Sequence, residues 1–173
     1  MSEKTEYILN SRYSCKKNIN YFFFSYPGFP SGAFAETVRK HANALINTNG
    51  GILVFGVNPN SEFISGIKRI TRAEEDLYRL SLDREIRNFK PSVSPSLYRF
   101  SIRFLSNSLC LLEIRISAGP VGEMYMTGDE KVYIVKHHHL HGPLYPFEIK
   151  ELVLAKYKAE IKHSQGVITP ALY

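Results

Sequence analysis

Apolar side chains recur every three or four positions in three segments of the chain, which is the spacing of one face of an α-helix. The first segment covers 33–47 and the second covers 71–89, where Thr71 and Glu74 have the spacing of a capping box. The third is "PLYPFEIKELVLAKYKAEIKH", with a proline near its first turn. The side chains expected to face a core are Phe34, Val38, Ala42, Leu45 and Ile46 in the first helix, and Leu77, Leu80, Ile86 and Phe89 in the second.

Strand patterns lie between these helices. A glycine pair, Gly50 and Gly51, ends the first helix and precedes a continuous apolar run that is typical of a buried strand. Two further runs flank the turn "SNS" and predict a hairpin. The predicted strands are "NINYFFFSY", "ILVFGV", the short returning "FISGI", "LYRFSIRFL", "LCLLEIRIS" and "KVYIVKH". Hairpins mixed with helices predict an α+β fold with a mixed, mostly antiparallel sheet packed with helices.

Length and composition favour one folded domain. The chain has 173 residues, of which 44% are hydrophobic and 13% aromatic, and this is enough to build a core. We expect an N-terminal lead-in over 1–14, the domain itself over 15–160 and a C-terminal tail over 161–173.

The net charge of the chain bears on the kind of molecule that it binds. Lysine and arginine number 22 against 16 aspartate and glutamate residues, a formal net charge of +6. This excess fits a polyanionic partner such as RNA or DNA, and it fits an ordinary solvated basic surface equally well.

The cysteines and the first residues of the chain bear on the cellular compartment of the protein. Cys15 and Cys110 form no CxxC pair, which excludes a cysteine-based zinc knuckle and favours a reducing compartment. The first residues are polar, unlike a secretory signal, and no apolar run approaches the roughly 18 residues that span a bilayer. A cytoplasmic location is expected, and membrane tethering stays open should the natural chain extend beyond residue 173.

The run "HHHLH" and the cysteines are the first candidates for chemistry. In a strand, His137 and His139 would share one face, and a metal would need a third ligand from elsewhere. A solvated run, or one that contacts phosphate beside Lys136, is the preferred interpretation, so no metal site is predicted. Cys15 and Cys110 are interpreted as buried structural thiols, and neither a P-loop nor a GxGxxG motif occurs.

The aromatic run in the first strand suggests a protein contact. Tyr21, Phe22, Phe23 and Phe24 must point to both faces of a strand. One face is expected to join the core, and the other is predicted to be covered by a partner protein. The alternative is an ordinary core strand at the edge of the sheet.

Two stretches, "FAETVRKHANALINTNGGILVFGVNPNSEFISGI" and "KVYIVKHHHLHGPLYPFEIKELVLAKY", resemble the Schlafen-like, AlbA-type domain family. In that family a helix ends in an "AFANTxGG" pattern, and a "xxxGVDD" element and a returning "xxxG" follow. A later "YxR" strand leads into a closing helix. The resemblance covers roughly residues 15–158 and implies a single Schlafen-like lobe.

The resemblance also implies an acid site from which this chain departs. Family members of the vertebrate type cut RNA with three carboxylates, two from an early "ExxxxEFK" strand and one from the "GVDD" turn. These carboxylates hold a divalent cation that activates water. The matching segments here are "CKKNINYF" and "GVNPN". The degenerate positions are Cys15, Asn20, Asn58 and Pro59, so the resemblance implies no catalytic residue and no cofactor in this chain.

In the family an RNA groove forms between two lobes, and this chain is long enough for one. The resemblance therefore implies a non-catalytic subunit that assembles with another Schlafen-like chain, whose acids would bind Mg²⁺ or Mn²⁺. It is similar to subunits of nematode Schlafen-like complexes that process piRNA precursors. Two alternatives stay open, a stand-alone RNA- or DNA-binding module and a nuclease that uses Glu36, Glu62 or Glu113. The predicted RNA-binding residues are Lys16, Lys17, Arg39, Lys40, Lys68, Arg69, Lys136, His137 and His139.

Overall fold

The computed structural model describes residues 7–167 and confirms the predicted α+β class. Helices pack on a five-stranded mixed sheet, and a separate two-stranded hairpin follows later in the chain. The elements in chain order are β1 (Asn20–Phe24), α1 (Ala33–Ile46), β2 (Gly51–Phe55), β3 (Ile67–Lys68), α2 (Arg72–Arg87), a 3₁₀ turn (Pro95–Leu97), β4 (Tyr98–Phe104), β5 (Leu109–Ile116), β6 (Ile134–Lys136), β7 (His139–His141) and α3 (Pro146–Val167).

Strand β5 lies at the centre of the sheet. It pairs antiparallel with β2 and β3 along one edge and with β4 along the other. β1 pairs with β2 in parallel, so the sheet is mixed and mostly antiparallel, as predicted. The hairpin around "SNS" is confirmed as β4 and β5. β1 and β4 consequently lie at opposite edges of the sheet.

The two faces of the sheet differ. Helices α1 and α2 cover one face, where the main core includes Leu53 and Ile114 from the sheet. On the opposite face a smaller core forms around Val54, Leu111 and Tyr13. Tyr13 is only 5% exposed although it falls in the segment expected to be a lead-in. Part of that segment is therefore built into the domain, because an aromatic ring is needed to cover the apolar strand residues beneath it.

Two buried asparagines of α1 and its C-terminal end hold the segment that leads to β6. The Asn47 amide nitrogen donates to the carbonyl oxygens of Tyr125 and Tyr133 at 2.9 and 3.1 Å, and its Oδ1 accepts from the Tyr125 N–H at 2.7 Å. One turn earlier, Asn43 donates to the Tyr125 carbonyl at 3.0 Å and accepts from the Tyr133 N–H at 2.8 Å. Buried peptide groups require such partners, so the two side chains fix this segment against α1.

The glycine pair, Gly50 and Gly51, connects the end of α1 to β2, as predicted. Gly50 has a φ of +70°, and its N–H donates to the Leu45 carbonyl at 2.8 Å. A side chain on Gly51 would collide with the backbone carbonyl of Asn20 in β1. Glycine is needed first for its left-handed conformation and then for the close approach of the neighbouring strand.

Helix α2 begins at the predicted capping box but faces the core with other side chains. Thr71 and Glu74 form the two reciprocal hydrogen bonds. Leu77 and Leu80 are 53% and 54% exposed, so their predicted place in the core is wrong. The side chains of α2 and its C-terminal end that reach the core are Tyr78, Leu82, Ile86 and Phe89.

Two hydroxyl groups stabilise the observed orientation of α2, in which Tyr78, Leu82, Ile86 and Phe89 form the buried stripe. The Tyr78 hydroxyl donates to the Gly28 carbonyl at 2.8 Å, and the Ser81 hydroxyl donates to the Pro30 carbonyl at 2.6 Å. These bonds tie α2 to the loop before α1 and satisfy polar groups that would otherwise be buried without a partner. The helix therefore buries Tyr78 and Ser81 and leaves the two leucines on the outside.

The segment "FISGI" does not form the predicted strand. It makes two isolated bridges instead, Arg12 with Phe63 and Val57 with Ile64. The returning strand is the two-residue β3, which begins at Ile67, the last residue of this segment. Gly66 separates the two bridges from β3 because it adopts a left-handed φ of 69°.

The C-terminal helix begins at the predicted Pro146 and continues to Val167, into the expected tail over 161–173. Residues 1–6 of the lead-in and 168–173 of the tail lie outside the described residues. Large apolar side chains on α3 are exposed, among them Phe147 at 65% and Tyr157 at 59%. Across the described range, none of the helices combines the length and apolarity that crossing a membrane requires.

Candidate nucleic-acid interface

An open cleft of about 460 Å³ lies beside β1. Tyr21 and Phe23 contribute from the strand, and Pro59 contributes from the turn that follows β2. Segments far apart in the sequence meet here because the parallel β1–β2 pair brings the ends of both strands together. The full lining is Cys15, Ile19, Tyr21, Phe22, Phe23, Pro59, Glu62, His138 and His139.

The four positions predicted to be degenerate lie in this cleft or next to its lining residues in the sequence. Cys15 and Pro59 line it, and Asn20 and Asn58 are neighbours in sequence of lining residues. Asn58 Oδ1 accepts from two following backbone N–H groups at 2.8 and 3.1 Å, and so closes its own turn. Asn20 Nδ2 donates to the Gly50 carbonyl at 3.1 Å. Both amides therefore have structural hydrogen bonds.

Glu62 is the carboxylate in the cleft lining. Its Oε2 accepts from Arg12 Nη2 at 2.7 Å and from Arg12 Nε at 2.9 Å. Both bonds come from one guanidinium group, which offsets the charge of the carboxylate. Glu62 is thus engaged by a cation from the N-terminal segment.

The other two candidate acids, Glu36 and Glu113, are not among the residues that line the cleft. Glu36 pairs with Lys40 on the surface of α1. Glu113 is 6% exposed and accepts from the Tyr13 hydroxyl at 3.0 Å and from Arg103 at 3.3 Å. Within the part of the chain that the structure describes, no three histidine, cysteine or acidic side chains are grouped to hold a metal ion.

One of the two cysteines departs from prediction. Cys110 is buried, whereas Cys15 is exposed, so its prediction as a buried structural thiol is wrong. Cys15 lies at the open rim because the chain there precedes the edge strand. Partial burial of the thiol raises its pKa, Glu62 raises it further, and Arg12 acts in the opposite direction. A raised pKa keeps the thiol protonated at neutral pH, which does not favour nucleophilic chemistry.

The predicted RNA-binding cations are in different environments. Arg39 lies 3.4 Å from Glu85 and 3.7 Å from Asp129, and Lys40 pairs with Glu36, so local carboxylates offset both charges. Among the described residues, four of the predicted lysines are exposed and form no ion pair. These are Lys16, Lys17, Lys68 and Lys136, while Arg69 lies over the Phe104 ring at 4.4 Å from its centre. Their contact with RNA stays a prediction.

The histidine run forms a hairpin turn. His137 and His138 have φ values of 51° and 64° and connect β6 to β7. His137 and His139 therefore do not share one face of a single strand, and the run is solvent-exposed from His137 to His139. His139 and His138 line the cleft. His141 instead contacts Glu148 of α3 at 2.7 Å.

The aromatic residues of β1 are half-buried on both faces. The Phe22 and Phe24 rings contact the His41 ring of α1 at centroid distances of 4.9 and 5.1 Å. On the other face, Tyr13 packs against Tyr21 and Phe23 at 5.7 and 5.4 Å. The face expected to await a partner is thus covered in part by the N-terminal segment. A role of Tyr21, Phe22, Phe23 and Phe24 in a partner interface stays a prediction.

Sequence reasoning missed a group of arginines on the open part of the smaller-core face. Arg99 and Arg103 of β4 and Arg115 of β5 line one shallow pocket. The alternation in "LYRFSIRFL" carried this signal, because period-two spacing puts Arg99, Ser101 and Arg103 on one face of the strand. The pairing with Arg115 depends on the register between β4 and β5.

The family model described as Schlafen, AlbA_2 matches residues 2–139. The chain belongs to the Schlafen AlbA_2 family. This membership confirms the resemblance drawn from the glycine-flanked strand, and it indicates a nucleic-acid-binding domain. The Schlafen match begins in the segment expected to be a lead-in and ends at the first residue of β7, ahead of α3.

A solved structure shows the same fold. This Schlafen-type chain is similar to the crystal structure of the DIP2311 protein from Corynebacterium diphtheriae, with a TM-score of 0.55 and 17% sequence identity. The similarity covers 83% of this chain and 25% of that chain, so this chain spans a quarter of the length of that protein. At this identity the likeness concerns the fold alone.

Proposed function

We propose that this Schlafen-type domain is a non-catalytic subunit of a multi-chain RNA endonuclease. It would help to form the RNA-binding groove and activate a partner that carries the metal-binding carboxylates. The observation that carries the proposal is the cleft beside β1, where the expected acid positions are neutral and Glu62 is held by Arg12 at 2.7 Å. Amides and a protonated thiol are poor ligands for a hard cation such as Mg²⁺.

Assembly with another chain is supported by exposed apolar surface. Besides Phe147 and Tyr157, α3 exposes Leu154 at 47% and Val153 at 45%. Phe147, Leu154 and Tyr157 have the spacing of one side of a helix, and apolar residues grouped in this way are more often a contact site than scattered ones are. We propose another Schlafen-like chain as the partner, with Mg²⁺ or Mn²⁺ bound to its acids. The process we propose is cytoplasmic 5′-end processing of small-RNA precursors such as piRNA precursors.

The exposed lysines support a second candidate function. A stand-alone RNA- or DNA-binding module needs only the cationic surface and the family fold, without a catalytic partner. The two functions differ in whether a second chain is required for activity.

Co-purification followed by RNA cleavage separates the candidates. The tagged chain is expressed with each sibling Schlafen-like chain, and both the complex and the isolated chain are incubated with single-stranded RNA in Mg²⁺ or Mn²⁺. The proposal predicts a stable complex that cleaves RNA and loses cleavage when the partner's acids are replaced by amides. A monodisperse chain that captures no sibling would leave the stand-alone binding module.

A further inference from the structure

The sheet face that carries the smaller core is basic where β4 and β5 extend past that core. Period-two alternation puts Arg99, Ser101 and Arg103 of β4 on this face. The β4–β5 register places Arg99 directly opposite Arg115 and Ser101 directly opposite Glu113. A shallow pocket of about 200 Å³ lies among them, and its lining is Ile52, Arg99, Ser101, Arg103, Glu113 and Arg115.

The charges in this pocket do not balance. Its carboxylate, Glu113, is buried and already accepts from Arg103 at 3.3 Å and from the Tyr13 hydroxyl at 3.0 Å. Arg99 and Arg115 are both exposed, and within residues 7–167 neither forms an ion pair or a side-chain hydrogen bond. Like charges directly opposite each other on neighbouring strands are destabilising, so the pair carries a cost that a bound anion would remove.

We propose that Arg99 and Arg115 clamp one phosphate group of a nucleic-acid strand, with the Ser101 hydroxyl as a neighbouring donor. Guanidinium groups present planar pairs of N–H donors that match phosphate oxygens, and two groups on adjacent strands can hold one phosphate from both sides. Arg103 neutralises Glu113, so the buried carboxylate does not repel the ligand. The inference rests on the proposed nucleic-acid-binding function and gives that function a site that contains none of the predicted lysines.

The lining favours nucleic acid over an acidic protein. Its apolar member is Ile52, which is 4% exposed, and the pocket holds no aromatic side chain. Protein interfaces depend on buried aromatic and apolar anchors, and this pocket offers none. A phosphodiester backbone needs cationic donors and tolerates a shallow, solvated surface.

The test compares two double variants with equal loss of charge. Arg99→Gln with Arg115→Gln removes the clamp, and Arg72→Gln with Arg84→Gln removes two exposed arginines from α2 on the other side of the sheet. Binding of a fluorescent single-stranded RNA is measured over a range of salt concentrations. The clamp variant should bind roughly tenfold or more weakly than the control variant, and its log–log salt slope should fall by about 0.7 for each phosphate that it no longer binds.

Thermal melting supplies a readout that does not depend on RNA. Inorganic phosphate should raise the melting temperature of the wild type more than that of the clamp variant, because only the folded wild type binds the anion. Without phosphate, the clamp variant should melt no lower than the wild type, since a like-charge pair is removed. A lower melting temperature without phosphate would make the arginines structural and overturn the clamp.

These measurements distinguish a failure of the arginine clamp from a failure of the proposed function. If the wild type binds RNA and both double variants weaken equally, the clamp is overturned and the proposed function stands. Should neither the wild-type chain nor its complex with a sibling Schlafen-like chain bind nucleic acid, the proposed function fails, and the phosphate-dependent melting shift decides separately whether an anion site exists. Arginine-dependent binding of polyglutamate with no binding of RNA would overturn the nucleic-acid assignment.

Discussion

Asn43 and Asn47 connect the helix that ends at the glycine pair with the segment that leads to the histidine turn. Both are buried, at 0% and 4% exposure, and they satisfy the backbone N–H and carbonyl groups of Tyr125 and Tyr133. The two side chains therefore fix the segment that leads to His138 and His139, which line the cleft. The polar character of the two asparagines is structural, because their hydrogen bonds replace water around buried peptide groups.

Replacing Asn47 by alanine should destabilise the fold strongly. The change leaves the Tyr125 N–H and the Tyr133 carbonyl without their side-chain partner. The expected decrease in the free energy of unfolding is about 3 kcal/mol, measured by urea denaturation. Asn49→Ala, at an exposed position after the same helix, is the matched control and should cost much less. Equal and small decreases for both variants would show that the Asn47 hydrogen bonds do not stabilise the fold.

His41 should make stability depend on pH. Burial lowers its pKa from 6.5, and nearby Lys40 acts in the same direction, while the hydrogen bond to the Thr37 carbonyl opposes them. The unfolded chain therefore binds a proton at a higher pH than the folded chain does, so stability is lost as pH falls below about 6.5. Protonation would also place a charge against Phe22 and Phe24.

The measurement is the free energy of unfolding at about pH 7.5 and about pH 5.5 for the wild type and His41→Gln. The wild type should lose more stability between the two than the variant does. Glu148 has a pKa lowered by the Tyr145 N–H first and His141 next, so it remains ionised in this range and contributes little. An identical loss in both proteins would assign the pH dependence to other histidines.

Among the elements, α1, β2 and the β4–β5 hairpin follow from strong periodic patterns and glycine positions. The rotation of α2 did not, because apolar residues lie on two of its faces and the hydroxyl bonds of Tyr78 and Ser81 select one. The predicted strand "KVYIVKH" ends one residue too late, because His137 begins a left-handed turn although it is neither the glycine nor the asparagine that such turns prefer. The hydrogen bonds of Tyr78 and Ser81 join α2 to a loop that lies far earlier in the chain, so a local pattern does not contain them.

The packing of β1 predicts how much its aromatic side chains contribute to the stability of the fold. Phe22→Ala with Phe24→Ala and Tyr21→Ala with Phe23→Ala should each lower the free energy of unfolding by about 3 kcal/mol or more, because both faces pack inside the chain. The control is Tyr145→Ala with Phe147→Ala, a pair that is 67% and 65% exposed and should cost little. Urea denaturation measures all three variants. If the Tyr21 and Phe23 variant keeps wild-type stability, that face is free for a partner.

Across the whole molecule, sequence reasoning identified the family, because the glycine-flanked strand is a short motif, while the degenerate acid positions stay a prediction. It did not identify the Arg12–Glu62 pair, whose members come from the N-terminal segment and the turn after β2. Nor did it find the pocket between Arg99 and Arg115, which depends on strand register. The cleft and the basic pocket are formed by tertiary contacts between segments that are distant in the sequence, so no local pattern predicts them.

RNA binding and RNA cleavage by the isolated chain, measured in the same samples, test the non-catalytic role most directly. With Mg²⁺ or Mn²⁺ present, the chain should bind single-stranded RNA with an affinity that falls as salt rises, and it should leave the RNA intact. Metal-dependent cleavage that disappears in Glu62→Gln, the carboxylate in the cleft lining, would contradict this role. An affinity for RNA that does not change with salt would contradict the electrostatic mode of binding.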